Sequence, residues 1–555
     1  MKNDSGNARA LVSQLRSRRA GREGEWQMLA DWLAPHRGVF SGEDISPRHT
    51  RRNREAFNQY ACYALLRGAS GMTSGMTPRN VPWFRPSFTE SGLLEAPGAR
   101  QWLDILNERM QDCLAAGGFY QAIHSFNIDL LWAGCALIFC EAGTQNPARY
   151  ECPQIGTFSL SLDECGLVEA CERVFTLSAQ GLAEKFGEDA LSPATRSLLK
   201  TNPWQPVRVT HLARRAPEGA RKIAAMPYES LFWEEGSEDF LSRGGYYEIP
   251  YFFTRWHDGP SPYGTGPGDD ALMDSRQLDL LEQRKLEGLG KIINPPVMAP
   301  PNYKNRIDLS PGGMNYLQQM ELIRPILDMA PYTASLSFIQ QEIQVIVQRL
   351  ENELLASIFA SMPVDQRPAD MSATEFLERK REALQQIGPV ISAYEPNVLT
   401  PLLAKTARIL DRAGLTPPAP PALEGVPLAM KVEFISPMAN ALRQTTAESA
   451  RALLSEAANL AQATGQPQIL DKIDFDQAID ELATALGAPG SIIRSDPEVA
   501  QIRQQRAQAQ QQAEQIAQAQ AGLNMAGQAQ QLAIQQNELD GDGKEEESSG
   551  GGDLL

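Results

Sequence analysis

Long apolar runs are missing from the sequence. No uncharged apolar stretch of about 18 residues occurs among the 555 residues, whereas a helix that spans a bilayer needs about 20. The N-terminal segment MKNDSGNARALVSQLRSRR also lacks the apolar core of a secretory signal. The mean hydropathy is −0.33. These absences predict a soluble protein without a membrane span that functions where it is made.

Positive charge is also scarce. The sequence has 51 Lys and Arg residues against 68 Asp and Glu residues, so its formal net charge is −17. A chain that wraps nucleic acid tightly carries a basic surface, and this balance excludes that class. Hydrophobic residues make up 42% and charged residues 21% of the chain, which is ordinary for a globular protein with a sizeable core.

Paired metal-ligand motifs are absent. The seven cysteines include no CxxC pair and the five histidines are scattered, so the ligand spacing of a zinc site is not present. We predict no metal and no cofactor, and reduced thiols in a reducing intracellular compartment. Two of the cysteines lie in the apolar run LLWAGCALIFC at 130–140, which we predict to be a buried helix.

Catalytic signatures are missing as well. A Walker A loop needs a Lys and a Ser or Thr after its last glycine, but in GTGPGDD at 264–270 these positions are Asp269 and Asp270. The pattern GxGxxG fails at Asp269, and GxSxG, HExxH and DxDxDG motifs do not occur. We predict no catalytic residues and a protein that is not an enzyme, although cysteine–histidine catalysis stays open at this point.

The first half of the chain combines helices with a strand-rich segment. Residues 1–55 are predicted to be helical, and a helix over 53–76 carries glycines at a spacing that lets another backbone approach closely. Two further helices are expected near 97–116 and 118–142. From 149 to 256, alternating polar and apolar residues predict an α+β unit with an antiparallel sheet and two short helices.

Two long helices flank a loop-rich segment in the middle of the chain. The first is expected over 270–292, with Asp269 and Asp270 capping its start. The second begins near Pro331 and continues to Phe359. Its apolar residues repeat every three or four positions: Leu336, Ile339, Ile343, Ile346, Leu350 and Leu354.

The last third is polar and helical. Ser372 and Glu375 form a capping box that opens a helix, and Gly414 is a predicted helix C-cap. The segment 501–540 is rich in Gln and Ala and carries a weak heptad repeat, which favours a bundle of several such helices.

Four motifs occur in the order seen in one known family. They are LLRGASGMTSGMTPRNVPWFRP at 65–86, YGTGPGDDALMDSRQLDLLEQ at 263–283, NPPVMAP at 294–300 and MSATEFLERKREALQQIGPV at 371–390. In these motifs the chain resembles the portal proteins, or head-to-tail connectors, of short-tailed bacteriophages (podoviruses), and the resemblance covers about residues 10–415. The signature positions are Trp83, Phe84, Tyr263, Gly264, Gly266, Pro267, Pro295, Pro296, Ser372 and Glu375. Ser372 replaces a Thr of the family and keeps the cap.

The resemblance implies a mainly α fold with an α+β wing, assembled as a ring, usually a dodecamer, around a central channel. On the family's layout the regions are a wing at 1–265 with its α+β part at about 149–256, a stem helix at 266–293, a clip at 294–321, a second stem helix and its extension at 322–360, a tunnel loop at 361–371, channel-side helices and a linker at 372–430, a crown and helical barrel at 431–540, and a disordered acidic tail at 541–555.

The implied function is that of the portal vertex of the virion, made in the host cytoplasm, through which viral double-stranded DNA is packaged and ejected. The implied partners are copies of the chain, DNA, the terminase large subunit, tail adaptor and tail proteins, and major capsid and scaffolding proteins, with no membrane. The basic candidates for DNA contact are Arg284, Lys285, Lys291, Lys304, Arg306 and Arg367, each with a salt bridge as the alternative. The tunnel-loop candidates are Pro363, Asp365, Gln366, Arg367 and Asp370.

Two other classes of protein remain as alternatives. One is a packaging-associated ATPase or nuclease of the terminase type, which the missing phosphate loop disfavours. The other is a scaffolding or capsid shell protein, which the mixed segment at 149–256 disfavours because scaffolds are mostly short and highly helical.

Overall fold

A computed structural model shows the fold of most of the chain. The residues that it describes are 2–40, 56–90, 92–293 apart from 94–95, 97 and 217–225, 297–298, 324–325, 330–360, 388, 393–423, 430–435, and parts of 451–479 and 499–532. The chain divides into two compact units. The first comprises Met1–Thr89, Trp102–Ala419 and Pro427–Gly487, and the second comprises Glu90–Gln101, Pro420–Val426 and Ala488–Leu555.

The described residues include ten helices. They are α1 Lys2–Trp32, α2 Tyr60–Met76, α3 Ala99–Ala116, α4 Phe119–Ala133, α5 Ala179–Phe186, α6 Pro193–Thr201, α7 Pro267–Ile293, α8 Ala330–Glu353, α9 Ala356–Ala360 and α10 Thr400–Arg412. A π-helical turn, Glu395–Leu399, leads into α10. In the second unit, a short 3-10 turn spans Pro421–Leu423 and helical residues run over 499–513.

The described residues also include twelve strands. They are β1 Phe84–Phe88, β2 Cys135–Ala142, β3 Ala148–Glu151, β4 Phe158–Leu162, β5 Val168–Ser178, β6 Pro206–Arg215, β7 Tyr228–Glu234, β8 Ser242–Tyr246, β9 Tyr251–Arg255, β10 Val297–Met298, β11 Arg324–Pro325 and β12 Met430–Phe434.

The α+β segment is present as predicted. Strands β4 to β8 form one antiparallel sheet in chain order, and α5 and α6 lie in the connection between β5 and β6. Helix α1 packs on this sheet, because Ala8 and Val12 join Leu212, Leu231 and Trp233 in one buried cluster. Strand β8 was not predicted, since the sequence SRGGY has few of the residues that favour strands.

The predicted helix through LLWAGCALIFC is wrong in its second half. Helix α4 ends at Ala133, Gly134 follows with a φ of 76°, and Cys135–Ala142 form β2, the central strand of the sheet β3-β2-β9. A continuous apolar run is compatible with a buried helix and with a buried strand. Glycine at the left-handed position that ends α4 decides between them.

Other boundaries also differ from the prediction. Helix α1 ends at Trp32 and residues 33–40 are not helical, whereas helix was expected over 1–55. Helix α2 begins at Tyr60, where the Asn58 side chain accepts a hydrogen bond from the Tyr60 N–H over 2.7 Å. The expected helix start at 53 lies outside the described residues.

The second long helix begins at Ala330, next to the start predicted near Pro331. The region that the family layout starts at 322 also contains a strand, because Arg324–Pro325 pair with Val297–Met298. The expected continuation to Phe359 is broken at Leu355, whose φ is 60°, before α9 begins. The predicted apolar face is real, because Ile343, Ile346, Leu350 and Leu354 are buried.

Strand β12 spans the expected region boundary at 431. It pairs antiparallel with β1, with Phe84 opposite Phe434, so the residues on both sides of this boundary pair with a strand from the first part of the sequence. The predicted C-cap at Gly414 is confirmed. Its φ is 68°, and the N–H groups of Gly414 and Leu415 donate to Asp411 O and Leu410 O, as in a Schellman motif.

Candidate functional site

The elbow, residues Tyr263–Pro267, is where α7 leaves the α+β part of the chain. Tyr263 is fully buried, and its ring lies edge-on to Trp26 of α1 with centroids 5.1 Å apart. The Tyr263 hydroxyl accepts a hydrogen bond from the Leu160 N–H over 3.3 Å, and Trp26 donates from Nε1 to Ala133 O over 3.1 Å. The elbow therefore fastens α1, α4 and the sheet to the start of α7.

Glycine is required at the elbow because backbones touch there. A Cβ on Gly266 would lie 2.5 Å from Gly134 Cα, and a Cβ on Gly134 would lie 2.4 Å from Thr265 C. A Cβ on Gly268, one residue into α7, would lie 2.2 Å from Trp132 O. This close approach of backbones explains why the Gly-x-Gly-Pro-Gly sequence needs its glycines. A phosphate-binding interpretation does not explain the contacts.

Of the two predicted capping residues of α7, Asp269 makes a capping hydrogen bond and Asp270 lies in the first helical turn. Pro267 is the first helical residue, three positions before the expected start, and its ring suits this position because no N–H is needed there. Asp269 Oδ2 accepts from the Gly266 N–H over 2.8 Å, and Asp269 Oδ1 pairs with Arg22 of α1 over 2.6 Å. The carboxylate also suits the positive end of the helix dipole.

Helices α7 and α8 run antiparallel and form the α7–α8 hairpin. Near the elbow, Asp274 pairs with Arg349 over 3.5 Å. Farther from the elbow, a Cβ added to Gly288 of α7 would lie 3.1 Å from Leu336 Cδ2 of α8. Strands β10 and β11 continue the same antiparallel pairing beyond the helices. The structure thus confirms two long helices on either side of the segment between them.

A carboxylate cluster lies where the α7–α8 hairpin meets the elbow. Burial, together with the nearby Asp274 and Asp270, raises the pKa of Glu353 to about 7, against an opposing effect of Arg349. Within the described residues, Glu353 Oε2 and Asp274 Oδ2 are buried without a hydrogen-bond partner. The charged form of Glu353 is therefore destabilised in the folded chain.

The predicted close approach to the glycines of α2 is confirmed at Gly68. A Cβ there would lie 2.1 Å from Leu354 O, at the break between α8 and α9. About two turns before Gly68, Tyr60 donates from its hydroxyl to Glu351 Oε1 over 2.5 Å, and Arg67 lies 3.5 Å from the same carboxylate. Helix α2 therefore supports the end of α8 through both its backbone and its polar side chains.

The aromatic pair of the first motif is a core element. Trp83 and Phe84 are fully buried. Trp83 stacks on Phe119 with centroids 5.8 Å apart and on Phe434 at 6.3 Å. The pair thus joins β1, α4 and β12. Sequence reasoning expected packing anchors here but did not predict that β12 covers them.

Three of the basic candidates lie on α7 within the described residues. Arg284 pairs with Glu287 over 2.9 Å and is 63% exposed, and Lys285 pairs with Glu282 over 3.0 Å. Lys291 is exposed in the last turn of α7, where the helix dipole favours a cation. Their contact with DNA stays a prediction.

The remaining predicted site residues lie outside the described residues. These are Lys304, Arg306, the tunnel-loop set Pro363, Asp365, Gln366, Arg367 and Asp370, and the signature residues Pro295, Pro296, Ser372 and Glu375. Sequence reasoning missed the partners of the elbow, Gly134 and Arg22. A lone glycine inside an apolar run is the signal that could have pointed to Gly134.

The described residues contain neither a metal-binding cluster nor a membrane-spanning helix. Over the described ranges, no group of three or more His, Cys, Asp and Glu side chains could hold a metal ion. In the same part of the chain, no helix combines the length and the apolar composition needed to cross a bilayer.

Comparison with known proteins identifies the family. A sequence profile described as "Bacteriophage head to tail connecting protein" matches residues 5–493. The chain is 28% identical to the portal protein of Salmonella phage epsilon15 over 523 residues, 92% of each chain. It is 30% identical to the probable portal protein of Bordetella phage BPP-1 over 514 residues, 91% of each chain. The chain belongs to the bacteriophage head-to-tail connecting proteins.

Proposed function

We propose that copies of this chain form a ring of about twelve around a central channel, at one vertex of a phage capsid, and that viral double-stranded DNA passes through it during packaging and ejection. The observation that carries the proposal is the family match over residues 5–493. The fold is consistent with it, since a rigid elbow joins an α+β part to a long antiparallel helix pair. The comparisons give no support to an ATPase, nuclease, scaffold or shell protein.

We assign the regions of each copy by the layout of the family. The wing comprises residues 1–265, with β12 packed onto it, and α7 and α8 form the stem. The segment 294–321 is the clip and 361–371 the tunnel loop, with channel-side helices over 372–430 and the crown beyond β12.

The role proposed for the ring is mechanical. It would dock the terminase large subunit during packaging and tail proteins afterwards, and would meet capsid and scaffolding proteins at the vertex. No catalytic step is assigned to it, because the family is structural. The chain would be made in the host cytoplasm and would end in the virion.

A channel for DNA must let the duplex slide. Each Lys or Arg that neutralises a phosphate adds salt-dependent affinity, so many unpaired cations would hold the DNA in place. The chain is acidic overall, with a net charge of −17. On α7, Glu287 and Glu282 neutralise Arg284 and Lys285. These ion pairs are compatible with a surface along which DNA moves without strong binding.

The proposal is tested by assembly of the purified full-length chain. We expect mass photometry to show particles of about twelve chains of 61.0 kDa, and electron micrographs to show rings with a central hole. A chain that stays monomeric under conditions that permit assembly, or that assembles without a hole, contradicts the proposal.

A further inference from the structure

Trp204 is the most exposed aromatic side chain among the described residues, at 77%. It lies in the turn between α6 and β6. Hydrogen bonds fix this turn, because Gln180 N–H donates to Pro203 O over 2.9 Å and Gln205 N–H to Asn202 O over 3.0 Å. A fixed turn loses little conformational entropy when a partner covers it. Tryptophan is also among the residues most enriched at interface hot spots.

An open groove lies at the opposite end of β5. Its volume is about 870 Å³, and it is lined by α1, the β4–β5 turn and residues before and within the elbow. The β4–β5 turn is fixed by Asp163, whose Oδ1 accepts from the N–H groups of Cys165 over 2.9 Å and Leu167 over 2.8 Å.

Strand β5 separates the two features. The turn that carries Trp204 bonds to the end of the strand, since Ala179 N–H donates to Gln205 O. The β4–β5 turn stands before its start. An 11-residue strand spans about 35 Å, so the exposed indole and the groove lie at opposite ends of the sheet.

A ring of identical chains needs two different patches on each copy, because neighbours related by rotation meet head to tail. An exposed knob and an open groove at opposite ends of one rigid sheet meet this requirement. We propose that Trp204 of one copy lies in the groove of the neighbouring copy. The inference rests on the proposed ring and names the contact that closes it between wings.

The chemistry of the groove suits an indole ring. Arg18, Arg22 and Arg255 line it, and guanidinium groups stack favourably on the faces of aromatic rings, tryptophan above all. The last two are held by ion pairs within their own chain. Pro260 and Pro262 add apolar ring surface. A second copy of the chain supplies the aromatic side chain that this lining fits.

The test uses the native thiol beside the groove. Cys165 is free and exposed in the β4–β5 turn. Full-length Trp204→Cys chains are assembled with an excess of wild-type chains, which keep Trp204, and treated with a short bismaleimide. We expect covalent dimers, because residue 204 of one copy lies near Cys165 of the next. A short linker cannot span β5 within one chain, so any 204–165 link joins two copies.

Two controls make the result specific. The dimers must disappear when every chain carries Cys165→Ser. They must be weak when the cysteine replaces Glu188 instead of Trp204, because Glu188 is an exposed residue of the connection between β5 and β6 that lies outside the turn of Trp204. Rings that form normally without a 204–165 link overturn the inference and leave the proposed function intact. A wild-type chain that never assembles overturns the proposed function, and the inference with it.

A second variant measures the contribution of the contact. Trp204→Ala should raise the concentration needed for ring assembly by about 30-fold, the loss expected for an interface hot spot, and Trp204→Phe should restore part of it. Unchanged assembly of Trp204→Ala, with the thermal unfolding of the single chain also unchanged, places the inter-copy contact elsewhere.

Discussion

The elbow and the α7–α8 hairpin follow each other in the chain, but they are stabilised in different ways. At the elbow, Tyr263 and Trp26 are fully buried and glycines let backbones touch. Along the hairpin, by contrast, Leu286 is 51%, Phe338 63% and Ile293 81% exposed. The elbow is thus packed within the chain, whereas the α7–α8 hairpin leaves apolar side chains exposed.

This difference indicates where a chain is complete and where it needs other copies. The contacts of the elbow lie within one chain, so its substitutions should act on folding. Single exposed apolar residues are ordinary on protein surfaces, but several on one helix pair mark a surface that association can cover. Substitutions on the outside of the hairpin should therefore act on the assembled ring.

The largest effect is expected from Gly268→Ala. The added methyl would lie 2.2 Å from Trp132 O, a backbone atom that cannot move without shifting α4. We expect the free energy of unfolding to fall by more than about 3 kcal/mol, which is the range of severe overpacking. Thermal unfolding of the unassembled chain, followed by tryptophan fluorescence, measures the change.

Gly290→Ala is the matched control on the same helix. Nothing lies within 4 Å of its added methyl, and alanine favours helix over glycine by up to about 1 kcal/mol. The two variants should therefore shift the unfolding temperature in opposite directions. Equal shifts would show that the elbow is no more tightly packed than the end of the hairpin.

A smaller effect is expected from the pH dependence of Glu353, where the two regions meet. The pKa of Glu353 is about 7 in the folded chain, above the ordinary value of 4.5. The folded state therefore holds the proton more tightly. The associated stability is fully present below pH 4.5 and is lost as the pH rises to 7.

Glu353→Gln imitates the protonated group and tests this assignment. We expect the variant to unfold at the same temperature as the wild type at pH 4 and at a higher temperature at pH 8. Since the side chain is only partly buried, solvent screens the effect to about 1 kcal/mol or less. A temperature difference that does not change between the two pH values would contradict the assignment of the proton to Glu353.

Local signals in the sequence predicted several features of the elbow and of the α7–α8 hairpin. The cap by Asp269, the glycine-rich elbow and the buried face of α8 follow from residue types and spacing over a few positions. The boundary at Gly134 did not, because a run of apolar residues does not distinguish helix from strand. The glycine ends α4 there because Thr265 and Gly266 occupy the space of its missing side chain, and those residues are far away in sequence.

Long-range pairing was the other part that the sequence did not reveal. Strand β12 pairs with β1, more than three hundred residues away in the sequence. The residues of neither strand identify the other as its partner. The same holds for Arg22 and Asp269, whose ion pair joins α1 to α7. The family resemblance predicted the signature residues of the elbow but not the residues against which they pack.

The smallest effect is expected on the outside of α7, at the ion pair of Arg284 and Glu287. Both side chains are exposed, at 63% and 42%, so Arg284→Gln should change the free energy of unfolding by less than about 0.5 kcal/mol.

Glu287→Gln should likewise leave folding unchanged, but it removes the acidic partner of Arg284. If α7 faces the channel, each unpaired cation should add up to about one unit to the slope of DNA affinity against salt concentration. We therefore expect rings of Glu287→Gln to retain a short duplex at low salt, rings of Arg284→Gln with Glu287→Gln to release it like the wild type, and the difference to vanish at high salt. Retention unchanged by Glu287→Gln at every salt concentration would place this face of α7 away from DNA and restrict Arg284 to its ion pair.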